Sequence, residues 1–495
     1  MNHSVKTSWN EIRTAFQEIW GYNDFRPPQE EIIRTLFAKK DALIIMPTGG
    51  GKSICFQLPA LLQTGLTLVV SPLVALMENQ VQELRDATQR LKPYRNLSVA
   101  LLHSELPNAQ RRSTLLALER QQLRLLYLSP ETLLSVPVWE RLCQPQLVIN
   151  GLILDEAHCL VQWGETFRPT YRRLGAVRAA LLKSKPPGTK IAFAAFTATA
   201  DPPAQKVIKE TLQLFEPAVF HINPYRSNLN PSVRIVWTPL SRKQQLLKFI
   251  QNRPKQAGLV YVRTRRDSEN LAAWLQEMGF ATASYHAGLG AEERREIEAS
   301  WLSGKKPFVI CTSAFGMGIN KSDVRWVVHF HAPLLLSEYV QEIGRAGRDG
   351  KPADTLTLVS EPTGLLYPED KLRQKFFEQK VREQQFSAQR LVKKLPEKGE
   401  VDAIGRQFPD GAIALSLLHS ADQLTWLDPF HYSITNRAKM RKQKELVTPK
   451  HMNKYINTRH CRWQFLLNAF GFEIEATNWL CGHCDNCQKK LSVDS

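Results

Sequence analysis

The stretch ALIIMPTGGGKSICFQLPALL, Ala42 to Leu62, decides what kind of domain opens the chain. A short apolar run breaks at Pro47, passes through three glycines, and an apolar segment restarts directly after Lys52 and Ser53. A glycine-rich turn between strand and helix points backbone N–H groups at a phosphate, and the helix N-terminus adds its dipole. Thr48, Gly49, Gly50 and Gly51 would line that cradle, Lys52 would reach the β and γ phosphates, and Ser53 would ligate magnesium. A strict phosphate-loop pattern has glycine where Met46 stands. A merely flexible glycine turn, however, needs neither the Lys-Ser pair nor the flanking strand.

Upstream, GYNDFRPPQEEII supplies Tyr22 and Arg26, whose flat groups could sandwich an adenine, and Gln29, whose amide could bond its edge. The same residues read equally as a helix entry organised by Pro27 and Pro28. Downstream, apolar runs alternate with amphipathic segments: LTLVVSP, LLYLSP, LVINGLILDE and KIAFAAFTATA, then AGLVYVRT, PFVICTS and VRWVVHF. Continuous apolar strands separated by helices predict parallel sheets covered on both faces. One set ends near residue 217 and another follows, so the expected architecture is α/β, with two parallel-sheet lobes over 1–217 and 218–362. Residues 363–397 read as a polar helical linker.

The run LVINGLIL delivers Asp155 and Glu156 to a strand end about a hundred residues after the glycine turn. There Asp155 would hold magnesium and Glu156 would orient or deprotonate an attacking water. Immediately afterwards come His158, Trp163, Phe167 and Arg168, suited to stacking on bases and contacting phosphates. Trp163 and Phe167 serve as well to pin the loop to the core. Thr197 and Thr199 either link lobes or cap a strand end.

Composition narrows the partner. Lysine and arginine exceed aspartate and glutamate by 65 − 47 = 18, which favours a polyanion, nucleic acid ahead of membrane. The 495 residues are too many for one core, and no apolar run reaches the roughly 18 residues of a membrane helix. The N-terminus lacks a signal peptide's apolar stretch, so a reducing, cytoplasmic compartment is expected, the nucleoid if the cell is bacterial. Cys55, Cys143, Cys159 and Cys311 then read as single thiols. Cys461, Cys481, Cys484 and Cys487 are different: their spacing brings four thiolates around one ion, zinc or, as the competing metal, an iron–sulfur cluster.

With MPTGGGKS, SPLVALMENQV, LDEAHCLVQWGETFRPTY, AFTATA, YHAGL, TSAFGMGINKSDVRWVVHF and QEIGRAGRDG in order, and CGHCDNCQ beyond, the chain resembles RecQ-family DNA helicases of superfamily 2. The resemblance implies two RecA-like lobes using ATP and Mg2+, 3′–5′ translocation on single-stranded DNA, and unwinding of partly duplex DNA in recombination and repair. It assigns Arg348, with Arg345 beside it, as arginine finger and Gln341 as the residue coupling nucleotide to lobe closure. It also assigns Zn2+ to the four cysteines over 437–495, although Trp463 stands where the family usually has arginine. A DNA-binding adaptor with weak ATPase, or an RNA helicase, are the competing readings. The completeness of the catalytic set opposes the first, and the aromatic segment after DEAH opposes the second.

Residues 398–436 are extra to that pattern. They read as helix, turn, helix and a hairpin turned at Asp428 and Pro429, the order of a winged helix, with basic NRAKMRKQKE beside it. The expectation is a DNA-binding winged-helix-like insert, or else a helical spacer on the second lobe.

Overall fold

The computed structural model describes residues 8–89, 91, 98–162, 168–316, 319, 321–436 and 450–491. It divides into two compact units. The first holds residues 1–46, 50–222 and 383–446, and the second holds the rest.

The first unit is built on a seven-stranded parallel sheet. Its strands are β1 (Ala42–Ile45), β2 (Leu66–Val70), β3 (Ser98–Leu102), β4 (Leu123–Leu128), β5 (Ile149–Leu154), β6 (Ala192–Thr197) and β7 (Ala218–His221), in the order β3-β4-β2-β5-β6-β1-β7. Every residue of β1, β2, β5 and β6 is buried, as strands covered by helices on both faces must be. β7 pairs with β1, from Ala42 opposite Ala218 to Ile45 opposite His221. The first sheet therefore runs to His221, past the boundary expected at 217; the half-exposed edge strand AVFH lacks the continuous apolar signature of its neighbours.

The second unit repeats the plan with β8 (Leu229–Val236), β9 (Gly258–Tyr261), β10 (Ser284–Tyr285), β11 (Phe308–Cys311), β12 (Trp326–His329) and β13 (Ala353–Ser360), ordered β10-β11-β9-β12-β13-β8. Trp326 is fully buried against β9. A Cβ on Gly258 would stand 2.0 Å from its indole, so only glycine admits that register. Onto this unit pack the helices Lys450–Asn457 and Arg462–Ala469, and the Tyr455 hydroxyl lies 2.8 Å from that of Tyr339. The two parallel-sheet lobes expected from the sequence are thus present, with a cysteine-bearing helical region packed on the second.

The extra segment forms a third, antiparallel sheet of β14 (Lys398–Glu400), β15 (Leu424–Trp426) and β16 (His431–Ile434), ordered β14-β16-β15. Helices Val401–Gln407 and Gly411–Ser420 lie between β14 and β15. Asp428 Oδ1 accepts from the backbone N–H of Phe430 at 2.7 Å and of His431 at 2.9 Å, closing the hairpin turn. The helix Glu369–Val392 is not a linker throughout. Its Ala388 and Val392, with Leu395 beyond, lie in the core of this module and fix its start before 398. That core also contains Ala176 of the first lobe, so the module belongs to the first unit and is not a spacer on the second. Most of NRAKMRKQKE lies outside the described residues.

Candidate active site and metal centre

β1 ends at Ile45 and the chain turns through Met46–Gly51 into the helix Lys52–Leu62. Gly49 and Gly51 have φ of 82° and 79°, a left-handed backbone that glycine adopts freely. Lys52 Nζ donates to the Met46 carbonyl at 3.1 Å, so the ammonium is held over the loop. Thr48, Gly50 and Ser53 are partly exposed on the same turn.

Gln29 is placed otherwise than expected. Its Nε2 donates to the carbonyls of Gly50 at 3.2 Å and Gly51 at 3.4 Å, while its Oε1 accepts from the Arg26 N–H at 2.8 Å. Both amide atoms of this buried side chain support the loop, and neither faces outward to a base edge. Tyr22 is half exposed, with the Arg26 guanidinium 6.0 Å from its ring centroid. A base between them needs roughly 7 Å, two van der Waals spacings, so the pair must part to admit one.

Asp155 and Glu156 follow β5, two strands from β1 in the sheet. Asp155 is buried. Its Oδ1 accepts from the Glu156 N–H at 3.0 Å and its Oδ2 from Gln80 Nε2 at 3.2 Å. Burial first, and the Glu156 charge second, push its pKa up to about 6, while Lys52 pulls it down. A buried carboxylate raised in this way beside a second one is short of positive charge, which fits a divalent cation shared with Ser53. Glu156 itself has φ of 49°, a conformation that costs a side-chain-bearing residue on the order of 1 kcal/mol. Its Oε2 lies 3.3 Å from His158 Nδ1.

His158 is buried rather than presented to DNA. Its Nδ1 is also 3.2 Å from the Thr197 hydroxyl, so the ring bridges the carboxylate turn and the end of β6. Arg168 is likewise committed: its Nε and Nη2 donate to the Glu131 carboxylate at 3.1 and 2.7 Å, and its Nη1 donates to the Pro72 carbonyl. A phosphate would have to displace Glu131 to reach it. Trp163 and Phe167 lie outside the described residues.

In the second unit, Gln341 lies on the helix Leu336–Ile343. Arg345 is buried and donates to the Gly316 carbonyl, whereas Arg348 is only partly buried. Sequence reasoning passed over two groups here. Gln80, inside SPLVALMENQV, holds Asp155. Glu342, beside Gln341, binds Arg263 at 2.9 Å and His329 at 2.8 Å. Burial raises the Glu342 carboxyl, but Arg263 and His329 outweigh it and hold the pKa at about 2.

The Sγ atoms of Cys461, Cys481, Cys484 and Cys487 all lie within 4.8 Å of one another, with Cys481–Cys487 at 3.8 Å and Cys461–Cys484 at 4.0 Å. A tetrahedron of sulfurs about 2.3 Å from zinc has edges of about 3.8 Å, so the cluster fits the ion. Backbone N–H groups of Arg462, Cys481 and Cys484 point at these sulfurs at 3.3–3.4 Å, as thiolates require. His483 faces the Tyr225 hydroxyl at 3.2 Å instead. Trp463, at the departure from the family pattern, is buried and donates to the Leu229 carbonyl at 3.1 Å. Arg462 pairs with Asp485 at 2.6 Å, and Asp485 accepts the Val233 N–H at 3.0 Å. The Trp463–Leu229 and Asp485–Val233 bonds fasten the metal centre to β8.

Comparison with known proteins places these sites in context. Residues 26–207 match the DEAD/DEAH box helicase family, 241–350 the helicase conserved C-terminal domain, and 425–488 the RecQ zinc-binding family. The chain is 50% identical over 479 residues to the ATP-dependent DNA helicase RecQ of Synechocystis sp., covering 96% of this chain and 98% of that protein. It is 38% identical over 361 residues to the ATP-dependent DNA helicase Q5 of Rattus norvegicus, covering 69% of this chain but 35% of that one. Among solved structures, the DEAD-box helicase Mss116 bound to ssRNA superposes with a TM-score of 0.60 at 17% identity, covering 72% of this chain and 74% of the other. The Mycobacterium smegmatis helicase Lhr bound to ssDNA and AMP-PNP gives 0.58 at 18%, covering 86% and 60%. No described helix is long and apolar enough to cross a membrane.

Proposed function

The chain belongs to the RecQ family of ATP-dependent DNA helicases, and from that premise we propose how its own residues couple ATP hydrolysis to 3′–5′ movement on single-stranded DNA and to unwinding in recombination and repair. It is an enzyme that uses ATP with magnesium, and a zinc-binding protein. The observation that supports the reading most is convergence. Lys52 and the Asp155–Glu156 pair stand at the carboxyl ends of β1 and β5 in one parallel sheet, where such folds bind ligands, and Lys52 is near enough to lower the Asp155 pKa.

Thr48 to Ser53 present backbone N–H groups to the phosphates, and Lys52 exchanges the Met46 carbonyl for a phosphate oxygen. Magnesium, when bound, offsets the charge that develops on the transferred phosphoryl group, and Ser53 and Asp155 are the residues to hold it. Glu156 orients the attacking water, its position fixed by the left-handed turn and by His158. His158, touching Glu156 and Thr197 together, carries a displacement of either strand end to the other. Arg348 is the finger for the γ-phosphate, and Arg345 holds the loop behind it through the Gly316 carbonyl. Gln341 senses the same nucleotide. The work is done in the cytoplasm, at the nucleoid if the cell is bacterial, on single-stranded and partly duplex DNA.

Measuring ATP turnover without nucleic acid, with single-stranded DNA and with RNA of matching sequence tests this reading. DNA is expected to raise turnover and RNA to leave it near the basal rate. Equal stimulation by both would make the enzyme an RNA-competent helicase, and no turnover in any condition would make it an adaptor.

A further inference from the structure

The module over residues 383–436 has the element order of a winged helix, in which the second helix enters the DNA major groove and the hairpin contacts the backbone. Both features are already used here. The second helix, Gly411–Ser420, has no exposed residue; Ala414, Leu415, Ser416, Leu417 and Leu418 are wholly buried. It lies on the 3-10 turn Pro169–Arg173 of the first lobe. His419, near its end, stacks against Trp426 of the hairpin at 5.6 Å between ring centroids. The hairpin tip is spent as well: Arg173 Nη1 donates to the Pro429 carbonyl at 3.2 Å, and Phe430 meets the Trp139 ring edge-on at 5.2 Å.

What the module holds is informative. The turn Pro169–Arg173 also packs against the helix His158–Gln162, which begins two residues after Glu156. Tyr171, fully buried in that turn, lies beside Cys159 of that helix. One continuous series of packed elements therefore joins the hairpin tip at Pro429 and the helix Gly411–Ser420, through Pro169–Arg173, to the segment that carries Glu156 and His158; Phe430 reaches the same turn through Trp139 and the helix Pro130–Leu133 that packs on it. A DNA-reading helix leaves its outer face in water, and this one does not.

We infer that residues 383–436 act as an internal clamp on the catalytic edge of the first lobe, with Phe430 and Arg173 as positioning residues for DNA-dependent hydrolysis, and that the module does not read DNA through its second helix. The inference rests on the proposed DNA-stimulated ATPase. A clamp restricts the carboxylate turn to the arrangement from which DNA occupancy can drive it; without the clamp, the basal reaction remains and the response to DNA fades.

The test uses the full chain carrying Phe430→Ala, Trp139→Ala, both together, Phe430→Tyr, and Arg173→Met, which keeps the aliphatic stem and removes only the donor. Turnover with and without single-stranded DNA, DNA affinity by fluorescence anisotropy, and amide exchange across residues 169–173 are measured for each. Phe430→Ala and Trp139→Ala should each lower the DNA-stimulated to basal ratio by about fivefold or more. DNA affinity and basal rate should stay those of the parent, and exchange in the turn should quicken. The double variant should be no worse than either single one, and Phe430→Tyr should restore the ratio. A ratio unchanged in the folded Arg173→Met and Phe430→Ala proteins would overturn the clamp. So would a variant lacking residues 398–436 that binds duplex DNA more weakly while keeping its full stimulation, the result expected of a DNA reader. If the parent itself shows no stimulation, the functional reading fails first, and the exchange measurement still decides whether the docking exists.

Discussion

The carboxylates at the end of β5 and the thiols beside Arg462 pose the same electrostatic problem and meet it in opposite ways. In each, like-charged groups are gathered in a buried place. The four sulfurs close a tetrahedron, receive backbone N–H groups, and have a shape that one ion completes. The two carboxylates stay open: Asp155 accepts two hydrogen bonds, yet burial and Glu156 still raise its pKa to about 6. A closed set converts metal binding into folding energy, whereas an open set keeps an unsatisfied demand that a substrate's ion can meet. Removing a ligand should therefore damage structure in one place and chemistry in the other.

The largest effect expected is on the closed site. Cys484→Ser, or chelation, forfeits a metal-binding free energy on the order of 10 kcal/mol. Zinc should be lost and amide exchange should rise across residues 450–491 while the first sheet keeps its protection. A variant that sheds zinc without local unfolding would show that the closed site does not convert metal binding into folding energy. At the open site, Lys52→Ala should lower turnover by about two to three orders of magnitude with little change in melting temperature, since the hydrogen bond it forfeits in the resting protein is one to the Met46 carbonyl. Single-strand affinity should persist, and its loss in step with turnover would move Lys52 out of the phosphate site.

The clamp module gives a third solution, a half-buried base whose charged form is disfavoured. Burial first, and Arg172 second, lower the His419 pKa from 6.5 to about 4. A base depressed on folding contributes stability that is complete above pH 6.5 and is lost as pH falls toward 4, a difference of about 3 kcal/mol. Melting of the parent should weaken over that window more than melting of His419→Leu, and parallel curves would place His419 in water. The smallest effect concerns Glu156. Replacing it by Asn, which tolerates a left-handed backbone, should stabilise the first lobe by about 1 kcal/mol while abolishing hydrolysis. A loss of stability would show that the carboxylate supports the fold as well as the reaction.

What could be read from sequence follows from how locally each feature is encoded. The buried parallel strands announce themselves as apolar runs, and the glycine turn, the Asp155–Glu156 step and the cysteine spacing are each confined to a few residues. Edge strands are less visible: β8 mixes buried, half-buried and exposed positions without a clear period and contains Pro231, tolerable because β8 has a neighbour on one side only. The roles of Gln29, His158 and Arg168 were harder still. Their partners lie 21, 39 and 37 residues away, so their spacing looks the same whether they face ligand or protein. For the helix Gly411–Ser420 a signal existed and was read too narrowly. A DNA-reading helix needs one polar face, whereas AIALSLL is apolar or small all the way round, the mark of a helix covered on every side.

The fastening of the metal centre to β8 also sets an order of events at the ribosome. β8 is the outer strand of the second sheet, and the Trp463 and Asp485 groups that bond its Leu229 and Val233 follow 234 and 252 residues later. At about 5–20 residues per second, the nascent chain exposes that unpaired edge for roughly 10 to 50 seconds before its cover is synthesised. Zinc then arrives last, securing the cover on an edge that would otherwise template pairing with another copy. Cells short of zinc should accumulate this protein as insoluble aggregate before they show any slow helicase.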